Sequence, residues 1–172
     1  VNESAWTTRP ETASDVAEVR RINLEAFPTA GEADLVEALR ADRDAWLPGL
    51  SWLAEAADGT AVGHALLTRC RVGGAPALAL APVAVRPEWQ RTGAGSAAVR
   101  AALAAAGERG ENLVVVLGHP EYYPRFGFRR ASERGVRVAF DVPDEALMTL
   151  TLHPELPAPA GTVAYPPAFG VA

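Results

Sequence analysis

Val83-Ala84-Val85-Arg86-Pro87-Glu88-Trp89-Gln90-Arg91-Thr92-Gly93-Ala94-Gly95-Ser96 passes from an apolar stretch through a proline into a glycine loop. On its N-terminal side, Ala77 to Val85 carries few polar side chains, as a strand covered on both faces would. On its C-terminal side, Gly95 to Arg109 reads as a helix with Val99, Leu103 and Ala106 along one stripe and Gly110 as its C-cap. Leu113-Val114-Val115-Val116-Leu117 then reads as a buried strand. Strand, helix and apolar strand in succession make a βαβ unit, whose crossover is expected to be right-handed.

Glycines at a helix start let backbone amides approach a ligand without a Cβ in the way. The helix N-terminus adds partial positive charge, so the loop suits a pyrophosphate. Gly93-Ala94-Gly95-Ser96-Ala97-Ala98 also fits the dinucleotide pattern G-x-G-x-x-A. Two observations oppose that assignment. Seven residues, Pro87 among them, separate the strand end from Gly93, whereas the dinucleotide turn starts where its strand stops. The next strand runs into Leu117-Gly118-His119, with no acid for a ribose hydroxyl. A kinase-type phosphate loop fails because the chain has no lysine.

Working outward, Ala5 to Pro10 leans towards a strand, and Thr12 and Asp15 stand at capping-box spacing before a helix. Val16, Val19, Ile22, Ala26 and Phe27 share one face of that helix, and Pro28 closes it. A second amphipathic helix starts near Glu32, with Leu35, Val36 and Leu39 inward and Glu37, Arg40 and Asp42 outward. Leu50 to Ala56 and Ala61 to Val72 read as strands joined through Asp58-Gly59, and Gly73-Gly74 turns the chain into the next one. Beyond the βαβ unit lie a Tyr- and Pro-bearing segment, His119 to Phe126, and two β-leaning runs, Val136 to Phe140 and Leu147 to Leu152. Residues 153–172 hold five prolines and read as an extended tail packed on the same domain, which spans 1–152.

The 172 residues are enough for one domain with a sizeable core, and 49% hydrophobic with 22% charged residues describes a globular chain. The uncharged run Gly73 to Val85 contains two prolines and falls short of the ~18 residues that span a bilayer. Val1-Asn2-Glu3-Ser4 has no basic or apolar leader character, and Cys70 has no second cysteine to pair with, so a cytoplasmic protein is expected. The net charge is −5 and all sixteen basic residues are arginine, a balance that argues against nucleic acid as partner. His64, His119 and His153 show no metal-ligand spacing, so no metal is expected.

The segment from Val83 to Gly95 resembles the acetyl-CoA signature of the GNAT superfamily of N-acetyltransferases: an apolar strand, V-x-P, then Q/R-x-x-G-x-G/A opening a helix. Tyr123-Pro124-Arg125-Phe126-Gly127-Phe128 is similar to the Y-x-x-x-G-F that follows that superfamily's fifth strand. Arg9-Pro10, Asp15 and Ala26-Phe27 resemble its first strand and helix, so the likeness covers residues 5–152. Gly118-His119-Pro120-Glu121-Tyr122-Tyr123 and Pro166-Pro167-Ala168-Phe169 look most like the bacterial predicted-acetyltransferase branch.

The resemblance implies an α+β fold: a twisted, mostly antiparallel sheet with helices on both faces, whose parallel fourth and fifth strands splay apart to admit pantetheine. Pro82 gives an independent reason to expect the splay, since it has no N–H for a ladder. The resemblance further implies that acetyl-CoA, as co-substrate, is bound by Val83, Ala84 and Val85 on the strand and by Gln90, Arg91, Thr92, Gly93, Ala94, Gly95 and Ser96 in the loop. His119 stands where relatives place a pantetheine contact. Tyr123 matches the tyrosine that protonates the departing thiolate, a task open to a phenol of pKa about 10. A backbone N–H near Val83 would polarise the thioester. The fourth-strand glutamate of many relatives is missing here, which leaves Glu25, Glu32, Asp34 and Glu37 as candidate bases, while His64 reads as a core histidine.

The expected function is transfer of acetyl from acetyl-CoA to a primary amine of a small molecule, peptide or protein. The alternative is a non-catalytic acyl-CoA-binding regulatory domain on the same fold. The expected partners are acetyl-CoA and an amine acceptor that the sequence does not identify, with a homodimer left open and neither nucleic acid nor membrane expected.

Overall fold

Alternating apolar residues and two glycine turns fold the first part of the chain into an antiparallel meander. Its strands β1 (Thr7–Pro10), β2 (Ser51–Glu55), β3 (Ala61–Val72) and β4 (Ala75–Val85) pair in that order. The structure, a computed structural model, describes residues 6–171, so the expectations for Val1 to Ser4 and for Ala5 lie outside it. β5 (Leu113–Leu117) joins β4 in parallel. Past it come β6 (Arg129–Arg130), β7 (Val136–Arg137) and β8 (Leu147–Thr151), and β8 lies antiparallel between β5 and β6. The run expected over Val136 to Phe140 is therefore a strand for its first two residues only.

The tail differs from a bare extended segment. It contributes β9 (Gly161–Ala164), which pairs antiparallel with β3 and parallel with β7. Gly73, at φ +56°, makes the close approach possible: a Cβ there would lie 2.1 Å from the Ala160 carbonyl oxygen.

Helices cover both faces of the sheet. α1 (Val16–Ala26) and α2 (Gly31–Ala41) bury Val19, Ile22, Val36 and Leu39 against Leu53, Leu66 and Ala84. α3 (Ala94–Glu108) buries Ala98, Val99, Ala102 and Ala106 against Ala54, Ala65, Leu67 and Leu78 on the other face. Neighbours Leu53 and Ala54, or Leu66 and Leu67, serve opposite layers because strand side chains alternate. Asp15 fixes the start of α1: its carboxylate takes the Thr12 N–H at 2.7 Å and a bidentate pair from Arg9 on β1. That guanidinium holds the Asp15 carboxyl far below the usual carboxylate range.

One buried polar chain ties α1, α2 and the sheet together. Arg40 on α2 clasps Glu11, Ser51 donates to Glu11 at 2.6 Å, and His64 lies 2.8 Å from the Ser51 hydroxyl. Asn23 donates to the other ring nitrogen of His64 at 3.2 Å. The Ser51 proton is committed to Glu11, so its oxygen accepts from Nε2–H and Nδ1 accepts from Asn23. His64 is fully buried and neutral, and burial pushes its pKa down to about 3. It is the core histidine the sequence suggested.

Candidate active site

The sheet opens where β4 and β5 part. They pair only at Leu78 with Val114 and at Ala79 with Val115. In the β3–β4 ladder, Ala65 faces Val83 but Leu67 faces Leu80, so Ala81 and Pro82 both stand opposite Leu66 in a bulge. The register break thus falls on the proline that the sequence marked. Beyond it, Arg86 N–H donates to Val62 O at 2.9 Å, which places the backbone groups of Ala84 and Arg86 towards β3. Those of Val83 and Val85 alternate to the other side, into the opening.

The loop after β4 is braced from behind. Arg86 is held between Glu18, its shorter contact, and Glu25 at 3.0 Å, both on α1. Trp6 stacks edge-on against Trp89 and donates its indole N–H to Thr92 O at 3.1 Å. The Thr92 hydroxyl donates to Trp89 O, and the Gln90 amide donates to Val85 O at 3.1 Å. Arg91 and Gly93 both take positive φ, +62° and +93°, and Gly93 caps α3. The amides of the first turn of α3 have no partner within the helix, so they form an anion-binding end. Gly95 lies tight against β4: a Cβ would sit 2.9 Å from a Val85 methyl and 3.7 Å from the Tyr122 hydroxyl.

A cleft of about 780 Å³ follows this loop, walled by Val83, Val85, Gln90, Arg91, Gly93, Gly95 and Ser96. The other wall carries His119, Glu121, Tyr122, Tyr123 and Arg125, with Ala26 and Phe27 at the end of α1. Three of the residues expected at the ligand do not line it. Ala84 is buried and packs under α1 and α2, Thr92 is turned to Trp89, and Ala94 is buried beneath β3 with its carbonyl against Gly63. Each sits at the position in strand or loop whose side chain points away from the opening.

The two tyrosines diverge. The Tyr122 hydroxyl lies 2.8 Å from Ser96 Oγ on the first turn of α3, and the Arg125 guanidinium stacks 4.2 Å from its ring. Tyr123 packs edge-on to Phe128 and rests on Gly118, where a Cβ would lie 2.4 Å from its ring. Gly118 thus makes room for the Tyr123 ring, a fit that sequence reading missed; its mark is a glycine directly after an apolar strand. Burial, with Tyr122 alongside, pushes the Tyr123 phenol up to about 12.

A second chamber of about 470 Å³ lies through the splay, and Phe27, Val83, His119 and Tyr123 line both spaces. Its remaining walls come from α2, β4, β5 and the tail, and they include Phe140, Tyr165 and Phe169, none of which the sequence pointed to as a site residue. Among the described residues no cluster of three or more histidine, cysteine or acidic side chains is placed to hold a metal. Among them also, no helix is long and apolar enough to cross a membrane.

The model of the acetyltransferase (GNAT) family matches residues 16–128. The uncharacterised N-acetyltransferase YjhQ of Escherichia coli K12 is 38% identical over 151 residues, covering 82% of each chain. The GNAT family N-acetyltransferase YhbS of Escherichia coli, solved in complex with CoA, superposes with a TM-score of 0.88 at 27% identity over 96% of this chain and 92% of its own. A GNAT family acetyltransferase of Brucella melitensis, solved in complex with acetyl-CoA, gives a TM-score of 0.76 at 32% identity over 95% and 97%. The glycine loop, the parted strands and these likenesses converge: this chain belongs to the GNAT family of acetyltransferases.

Proposed function

We propose that the protein transfers acetyl from acetyl-CoA to a primary amine, with the ligand's pantetheine arm lying in the opening between β4 and β5. The observation that carries this is the free edge of β4: the backbone groups of Val83 and Val85 face a cleft that ends on the α3 amides. A strand edge of this kind binds an extended amide-bearing chain as it would an added strand. The amides of Gly93 to Ser96 then meet the pyrophosphate, with Gln90 holding the loop to Val85 and Arg91 and Arg125 supplying positive charge to the phosphates. The two relatives solved with CoA and acetyl-CoA have the same fold at 27% and 32% identity, which supports this reading.

In this arrangement the Val83 N–H polarises the thioester carbonyl. Tyr123, on the border of both spaces, gives its proton to the departing thiolate; its raised pKa keeps the phenol protonated at neutral pH. Tyr122 serves the binding side through Ser96. His119 stands at the border too, as a pantetheine contact. Cys70 is buried, with its thiol pushed up to about 12 by burial, and takes no part.

The direct test is thiol release from acetyl-CoA against a panel of primary amines, beside calorimetry with CoA. Saturable CoA binding and amine-dependent thiol release are expected. Tight CoA binding with no release for any amine would leave a ligand-binding domain in place of a transferase.

A further inference from the structure

The second chamber carries a statement about the acceptor, and it rests on the transferase reading above. Its walls are mostly apolar and aromatic, with Phe27, Leu35, Leu80, Pro82, Phe140 and Phe169 among them. No arginine lines it, and Glu32 is its one carboxylate among the described residues. The four acids around the first two helices separate by their partners. Glu25 is held by Arg86 at 3.0 Å, and Asp34 and Glu37 by Arg20 at 3.1 and 3.2 Å. Among the described residues Glu32 makes no ion pair, and it alone of the four faces the chamber.

We propose that the acceptor is a small monoamine on an apolar body, and that Glu32 binds its ammonium and takes its proton. A carboxylate beside aromatic faces is a site for a single cation. A second ammonium, as in a polyamine, would be desolvated against apolar walls without a partner. The carboxylate of a free amino acid would find no arginine there and would meet Glu32 as a like charge. A space of about 470 Å³ holds a small molecule rather than a folded protein surface.

The protons balance as follows. The ammonium gives one proton to the Glu32 carboxylate, and the freed lone pair forms the N–C bond at the thioester carbonyl. The C–S bond breaks and the thiolate takes the Tyr123 proton. The nitrogen returns its second proton to Tyr123, and Glu32 releases the first to solvent, leaving amide, free thiol and one proton.

The test measures kcat/KM with acetyl-CoA for phenethylamine, hexylamine, spermidine and alanine, in the parent and in Glu32→Gln. CoA affinity is followed by calorimetry in both. The two apolar monoamines should exceed spermidine and alanine by roughly 10-fold or more, the scale of one mismatched polar group. Glu32→Gln should lower kcat/KM for phenethylamine by roughly 10²-fold or more, the low end for losing positioned proton transfer, with CoA affinity kept. Preference for spermidine or alanine overturns the substrate class, and parental kcat/KM in Glu32→Gln overturns the residue; in both cases the transferase reading survives. Release with none of the four amines, despite CoA binding, overturns the acceptor class as well. If a wider amine panel is also inert, the transferase reading falls with it.

Discussion

The two spaces on either side of the β4–β5 opening are built by different means. The larger cleft draws its strand and loop wall from one continuous stretch, residues 83–96, and presents main-chain groups to the opening. The smaller chamber collects side chains from α2, β4, β5, the segment around Phe140 and the tail at 165–171. Main-chain recognition constrains only where glycine and proline stand, so it leaves a short, readable pattern. Side-chain recognition spreads over distant segments, any of which can change without disturbing the fold. A ligand common to a whole family suits the first design, and an acceptor that differs between members suits the second.

The largest effect expected is at the main-chain wall. Gly95→Glu places a carboxylate where a bare Cβ already meets Val85 at 2.9 Å, so calorimetry should find no CoA binding while circular dichroism stays folded. Retained CoA affinity in that variant would remove the distinction between the two walls. Tyr123→Phe comes next, with kcat expected to fall roughly 10²-fold at nearly unchanged CoA affinity. Its neighbour reports the other side: Tyr122→Phe breaks the contact to Ser96 and should weaken CoA binding by a few-fold, about 1 kcal/mol, with kcat largely kept. A reversed pattern would exchange the roles of the two rings.

Smaller and confined to the chamber, Phe140→Ala should raise the acceptor KM by roughly 10-fold, about half the value of a fully buried ring, and leave CoA binding alone. A further effect belongs to neither wall. His64 carries a folded-state pKa of about 3 against an ordinary 6.5, so its neutral form contributes stability fully above pH 6.5. That contribution is lost as pH falls from 6.5 towards 3, with a slope of at most about 1.4 kcal/mol per pH unit for one proton. Urea titrations between pH 6.5 and about 4.5, above the main carboxylate range, should show a shallower fall for His64→Gln than for the parent. Equal slopes would mean that the buried ring accepts a proton without cost.

The parts of this fold that depend on local pattern were legible. Ala61 to Val72 has the same ends as β3, the helix read from Gly95 starts within one residue of α3, and Pro82 falls in the bulge that opens the sheet. What escaped depends on distant partners. β9 is strand because Val163 and Ala164 find Val72 and Arg71, some ninety positions earlier, and no period in a proline-rich segment announces that. The contiguous signature could not show that the side chain of Ala84 packs under α1 and α2 while those of Val83 and Val85 line the cleft, because alternate side chains of one strand serve opposite faces. Glu32 was one acid among four until Arg20 and Arg86 were seen to occupy the others.

The unshared edge of β4 also sets a time scale. Amides of Leu78 and Ala79 lie where β4 is flanked by both β3 and β5, and their hydrogens should exchange with deuterated solvent only when the sheet itself opens. Those of Val83 and Val85 face the opening, so in the free protein they exchange through solvent contact alone, within the same strand. A bound ligand that pairs with that edge would slow them to the rate of their neighbours, turning a strand with two exchange regimes into one.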